Sequence, residues 1–251
     1  MLDNFSLSAH CDYSQNNQGR DFFVGDIHGK YALLMHALDK ICFDDTVDRL
    51  FSVGDLIDRG EASFKCLLLA KQSWFIPVIG NHEQFLLDTA NNSLSMKLNW
   101  YFNGGSWWEA LNDEDKKLAQ GVVERYFSLT LSVSTLGGKV GVLHAQYPFK
   151  KWPVNKEDLN LDSYTELIWG RDYIHDDNDN VVEGIDFIVS GHTPLIKPRL
   201  KCQQLFIDTG CGHQASGVIY DPHLTICEFK KNSIELYAIS ETTFELSHIK
   251  I

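Results

Sequence analysis

The 251-residue chain has little of what would mark it for a membrane, a secretory route or a nucleic acid. No apolar run approaches the ~20 residues that span a bilayer. Its first residues, Met1-Leu2-Asp3-Asn4, carry neither the basic n-region nor the apolar h-region of a secretory signal. Lys and Arg, 22 in all, are outnumbered by 34 Asp and Glu, for a net charge of −12. An excess of that sign argues against nucleic acid or an anionic membrane surface as a partner. The six cysteines (Cys11, Cys42, Cys66, Cys202, Cys211 and Cys227) form no C-x-x-C pair and no disulfide-scaffold spacing. Reduced, mostly buried thiols and a cytoplasmic location are therefore expected. Linkers, internal repeats and low-complexity tracts are also lacking. Residues 1–19 are polar and aperiodic and read as a peripheral arm; residues 20–251 read as one domain.

What the chain does have is one design repeated. Phe22, Phe23 and Val24 run into Gly25-Asp26-Ile27-His28-Gly29. A short apolar run that stops at Gly-Asp reads as a buried strand ending in a sharp turn. Alone, that is an ordinary turn. Leu50, Phe51 and Val53 then run into Gly54-Asp55-Leu56-Ile57-Asp58-Arg59-Gly60, and residues 75–79 into Gly80-Asn81-His82-Glu83. Val140, Val142 and Leu143 reach His144; Phe187, Ile188 and Val189 reach Ser190-Gly191-His192. Open α/β sheets bind ligands outside the carboxyl ends of their strands, and five strands here each deliver a ligand-type residue at that end.

Between them the pattern alternates. Leu33, Leu34, Ala37, Leu38 and Ile41 lie at helical spacing, and residues 61–71 read as a second helix. The order β-α-β-α-β suits right-handed parallel crossovers. Residues 113–124 read as a polar helix, and 128–144 as a hairpin turning at Gly137-Gly138. Further strands are expected at 187–190, 205–207, 217–220, 225–229 and 233–239. The aromatic stretch from Trp100 to Trp108 either packs a helical insert, the commoner use of such residues, or lines a substrate groove. His213 either approaches the strand-end cluster or sits in a turn.

Carboxylate, imidazole and amide ligands without thiolate favour Mn²⁺, Fe or Zn²⁺. Two ions ~3.5–4 Å apart can acidify a shared water and clamp an in-line phosphoryl displacement. Asp55 ends the central of the first three strands, where one carboxylate can bridge both. His82, beside Asn81, is the candidate leaving-group acid, with Asp58 as its carboxylate partner. Arg59 and Arg171 supply planar forks for phosphate oxygens.

In this order, G-D-I-H-G, G-D-L-I-D-R-G, G-N-H-E, a lone strand-end histidine and S-G-H-T-P resemble the phosphoprotein phosphatase branch of the calcineurin-like metallophosphatases. The chain is most similar to their bacterial and lambda-phage-type serine/threonine phosphatases. The likeness covers residues 21–210 and includes N-G-G-S-W-W and W-G-R-D. It implies an α/β (α+β) single domain, a central β-sandwich flanked by helices, with two divalent ions, most often Mn²⁺. One ion would take Asp26, His28 and Asp55; the other Asp55, Asn81, His144 and His192. It also implies His82 and Asp58 as acid and partner, and Arg59 and Arg171 as phosphate clamps. The implied activity is hydrolysis of phosphoserine, phosphothreonine or phosphotyrosine in proteins, by direct attack of a metal-bridging hydroxide. A phosphoprotein or phosphopeptide would be the partner. The chain departs from the pattern at Ile79, where the family commonly has arginine, so no charge pair from that position to Glu83 is inferred. Two other functions fit the same residues. A dinucleoside polyphosphate hydrolase would keep the metals, although G-N-H-E and S-G-H-T-P match the protein phosphatases better than that branch's G-N-H-D and G-H-W. A non-catalytic phospho-ligand module would keep only the fold.

Overall fold

Two six-stranded sheets lie face to face in the computed structural model, which describes residues 7–89, 94–177 and 179–251. In chain order the elements are β1 (Ser8–Tyr13), β2 (Asp21–Val24), α1 (Tyr31–Lys40), β3 (Arg49–Ser52), α2 (Ser63–Leu68), β4 (Phe75–Pro77), α3 (Asn81–Asp88), α4 (Leu94–Phe102) and α5 (Asp113–Tyr126). There follow β5 (Ser128–Thr135), β6 (Gly138–Val142), α6 (Leu161–Trp169), β7 (Phe187–Ser190), β8 (Arg199–Lys201), β9 (Gln204–Phe206), β10 (Leu224–Lys230), β11 (Ser233–Ile239) and β12 (Phe244–Lys250). One sheet runs β1-β5-β6-β7-β9-β8 and the other β12-β11-β10-β2-β3-β4.

The apolar runs are continuous because the central strands are buried on both faces, with successive side chains pointing opposite ways. Phe23, Phe51, Val142, Val189 and Leu205 pack between the sheets. Phe22, Val24, Leu50 and Ile226 face outward onto the helical layer, where α1 contributes Leu34, Ala37 and Leu38. β2, β3 and β4 are mutually parallel, as are β6, β7 and β9. Each parallel set therefore presents its carboxyl ends along one rim of its sheet.

Residues 1–19 are less irregular than their composition suggests: Ser8–Tyr13 pairs in parallel with β5 at the sheet edge, while residues 1–6 lie outside the described part. The strand expected over 217–220 does not form. The Ser216 hydroxyl accepts hydrogen bonds from the Val218 and Ile219 amides, and the Ser216 amide donates to the Ile219 carbonyl at 2.7 Å. That local bonding folds the segment into a turn before it can reach a sheet. Among the described residues no helix is long and apolar enough to cross a membrane.

Candidate active site

The two rims meet. Asp26 and His28 follow β2, Asp55 follows β3, and Asn81 and His82 open α3 directly after β4; His144 and His192 follow β6 and β7 from the opposite sheet. All seven are buried. His28, Asp55 and His192 adopt φ of 44°, 52° and 68°. L-residues seldom occupy that region, at a cost of about 1–2 kcal/mol each, and such strain persists only where the surroundings over-determine it. Here it turns each side chain back over its strand end. Gly191 must be small, since a Cβ there would fall 1.9 Å from Asp26 Oδ1.

Asp55 stands at the centre. His144 Nε2 lies 3.4 Å from its Oδ1, and His28 Nε2 and His82 Nε2 lie 3.7 and 3.8 Å from its Oδ2. Asn81 Oδ1 is 2.9 Å from His144 Nε2 and 2.8 Å from His192 Nδ1. Among the described residues two triads have ligand atoms close enough for one ion each: Asp55, His144 and His192, and His28, Asp55 and His82. Both contain Asp55. Asp26 sits slightly outside the second triad, its Oδ2 3.9 Å from His28 Nε2.

The donor set fits divalent cations, and so does its support. A metal-binding imidazole characteristically gives its other N–H to a carbonyl or carboxylate. His28 Nδ1 bonds the Ile57 carbonyl at 2.9 Å, His144 Nδ1 the Val53 carbonyl at 2.8 Å, and His192 Nε2 the Trp169 carbonyl at 3.2 Å. Each ring thus keeps one nitrogen aimed inward.

The electrostatics follow from burial. Desolvation, with the neighbouring Asp208 and Asp55 carboxylates, pushes the Asp26 carboxyl well above its ordinary value. At Asp55 burial acts the same way, but His144, His82, His28 and His192 overcome it and hold that carboxyl low. Desolvation lowers His28, His144 and His192. Desolvation would lower His82 as well, yet the Asp55 and Asp58 carboxylates outweigh it and raise it. His82 Nδ1 bonds Asp58 Oδ2 at 2.5 Å, leaving Nε2 facing the cluster.

Arg59 reaches over the mouth of the site. Its Nη1 contacts His28 Nε2 and lies 2.8 Å from His213 Nε2, and its Nη2 lies 3.3 Å from His82 Nε2. His213 therefore approaches the cluster. Arg171 is exposed, two residues beyond Trp169, and its charge depresses His144 and His192.

Several participants were not read from sequence. Glu83 is fully buried and accepts from the amides of Gly80, Asp55 and Leu56 at 3.0, 2.9 and 2.8 Å. Its place three residues after the helix cap was the available signal. Asp208, buried beside Asp26, ends the run Leu205-Phe206-Ile207 just as Asp26 ends its own. Trp100 and Trp107 both reach Asp58, at 2.6 Å each.

A sequence profile of calcineurin-like phosphoesterases matches residues 22–228. Serine/threonine-protein phosphatase 2 of Salmonella typhimurium is 31% identical over 209 residues, covering 81% of this chain and 93% of that protein. The symmetrical bis(5'-nucleosyl)-tetraphosphatase of Mannheimia succiniciproducens is 46% identical over 71 residues, which is 28% of this chain and 26% of that protein. A crystal structure of a candidate diadenosine tetraphosphatase superposes with a TM-score of 0.63 at 20% identity, over 92% of this chain and 98% of its own.

Proposed function

The chain belongs to the calcineurin-like phosphoesterase family, and from that premise we propose that it is a metal-dependent phosphomonoesterase acting on phosphoserine and phosphothreonine in proteins, with phosphotyrosine as a secondary substrate. One observation carries this reading: two ligand triads, one of them including His82, share the Asp55 carboxylate, and Arg59 Nη2 lies 3.3 Å from His82 Nε2. Near full-length similarity to a serine/threonine-protein phosphatase favours the protein substrate, whereas the similarity to the tetraphosphatase is confined to 71 residues.

In this reading Asp26, His28 and Asp55 hold one cation, and Asp55, Asn81, His144 and His192 the other, with Mn²⁺ ahead of Fe or Zn²⁺. When bound, such ions neutralise phosphate charge and acidify water. The chain's own groups do the rest. Arg59 and the more peripheral Arg171 grip non-bridging oxygens of the terminal phosphate. A water oxygen forms the new P–O bond while the ester P–O bond breaks, its electron pair staying on the departing oxygen. His82 Nε2 gives that oxygen its proton, and the proton lost by water restores the imidazolium. Asp58 keeps the ring oriented.

Metal analysis coupled to a panel of phosphopeptides, small monoesters and dinucleoside polyphosphates tests the reading. Two ions per chain and highest kcat/KM on phosphoserine or phosphothreonine peptides are expected. Preference for a dinucleoside polyphosphate overturns the substrate class, and metal binding without turnover of any substrate overturns catalysis.

A further inference from the structure

Asp58 is shut away from solvent, and its carboxylate is ringed by three N–H donors from three different places in the chain. His82 Nδ1 takes Oδ2; Trp100 Nε1 also donates to Oδ2, at 2.6 Å, and Trp107 Nε1 donates to Oδ1 at 2.6 Å. An indole N–H is a donor only; it carries no charge and has no proton to surrender at working pH. The two tryptophans can therefore pin the carboxylate plane without drawing the His82 proton away from it.

The segment that brings them belongs to neither sheet. Trp100 lies on α4, and Trp107 lies on a 3₁₀ turn over Gly105–Ala110. The two indoles meet edge-on with ring centroids 6.2 Å apart. Between them the chain is moulded onto the loop that carries Asp58 and Arg59. The Arg59 amide faces the Gly104 carbonyl at 3.4 Å, and a Cβ at Gly104 would fall 2.6 Å from the Arg59 nitrogen. Asp58 and Arg59 both adopt left-handed backbone, with φ of 74° and 65°, a conformation that needs surrounding structure to hold it.

We propose that Trp100 and Trp107 are positioning residues for departure of the leaving group, clamping Asp58 so that it fixes the His82 ring with Nε2 toward the substrate. This rests on the reading of His82 as the leaving-group acid. The clamp acts through Asp58 on His82 and touches neither the phosphate nor the triad of Asp55, His144 and His192. Its loss should therefore appear in kcat and not in KM, and most strongly where the departing oxygen needs a proton.

The test uses the Mn²⁺-loaded protein, Trp107→Phe, Asp58→Asn and the double variant, with a phosphoserine peptide and p-nitrophenyl phosphate as substrates. Trp107→Phe is expected to lower kcat on the peptide by about tenfold or more, a part of the range for general acid catalysis. The loss on p-nitrophenyl phosphate should be several-fold smaller, with KM for both nearly constant. In the Asp58→Asn background the further change should be at most about twofold, as for residues that act as one unit. Equal losses on both substrates, or a loss that multiplies fully with Asp58→Asn, overturn the inference. Should Trp107→Phe fail to fold, benzothienylalanine at 107 keeps the bicyclic shape and removes only the N–H, and the same outcomes are read from it. A wild-type protein inactive on both substrates defeats the functional reading; an active one indifferent to the loss of the indole N–H defeats this inference alone.

Discussion

Glu83 holds the backbone of Asp55 in place: its Oε2 accepts from the Asp55 amide at 2.9 Å while its Oε1 accepts from Leu56 at 2.8 Å. Neither side chain touches solvent appreciably. Glu83→Gln retains one acceptor oxygen and turns an amide NH₂ toward the remaining backbone N–H groups. An unsatisfied buried donor costs about 1–3 kcal/mol, so a destabilisation of that size is expected in urea unfolding of the metal-free protein. An unchanged midpoint would show that the three amides find other partners.

Asp55 belongs to both ligand triads, whereas Asp26 lies at the edge of one. Asp55→Asn should weaken both cation sites together and Asp26→Asn mainly one. Metal content after dialysis separates the cases: two ions retained by Asp55→Asn would refute the shared carboxylate.

His82→Asn removes the imidazole whose pKa the Asp55 and Asp58 carboxylates raise above its ordinary value. Loss of a general acid typically lowers kcat by ~10²–10⁴-fold, and the fall should be far smaller for p-nitrophenyl phosphate than for an alkyl phosphate. Identical falls on both would remove His82 from the proton-transfer role while leaving the cation sites intact.

Away from the site, Asp48 ties the start of β2 to the start of β3. Its Oδ1 accepts from the Arg20 amide at 2.7 Å; its Oδ2 accepts from the Arg20 guanidinium at 2.6 Å and the Asp44 amide at 3.0 Å. Burial opposes ionisation, but these donors prevail and hold the carboxyl below its ordinary 3.8. A carboxyl depressed in the folded state stabilises fully above its unfolded pKa and loses that contribution as pH falls through the folded one. Asp48→Asn should therefore cost about 1–3 kcal/mol near neutrality. The gap to wild type should close below pH 3.8, and thermal melts of both proteins across that interval check it. A gap independent of pH would mean that shape, not charge, matters at this position.

How much of this was legible depended on burial. Strands flanked by apolar layers on both faces, such as Phe22-Phe23-Val24 and Leu50-Phe51, announce themselves because nearly every position must be apolar. The three unread strands, Ser8–Tyr13, Arg199–Lys201 and Phe244–Lys250, all lie at sheet edges, where one flank meets water and sequence is less constrained. The same division runs through the site. Asp26, Asp55, Asn81, His144 and His192 each stand within three residues of the end of an apolar run, so local pattern points to them. The indoles on Asp58 come from 42 and 49 residues away. No periodicity links positions so far apart, and the aromatic cluster read first as core packing of a helical insert and only second as a groove.

The candidate ligand groups hang from opposite leaves of the sandwich: Asp26, His28, Asp55 and Asn81 on one, His144 and His192 on the other. A cation gripped from both sides must be let go before the leaves can part. Its loss would thus be a step on the way out of the folded state, not only a weight on the folding equilibrium. Occupancy should then set how long each molecule survives, slowing escape while leaving the speed of refolding almost untouched if the leaves join before the ion arrives. In cells where the ion is scarce, the lifetime of this chain would follow metal supply even when no substrate is present.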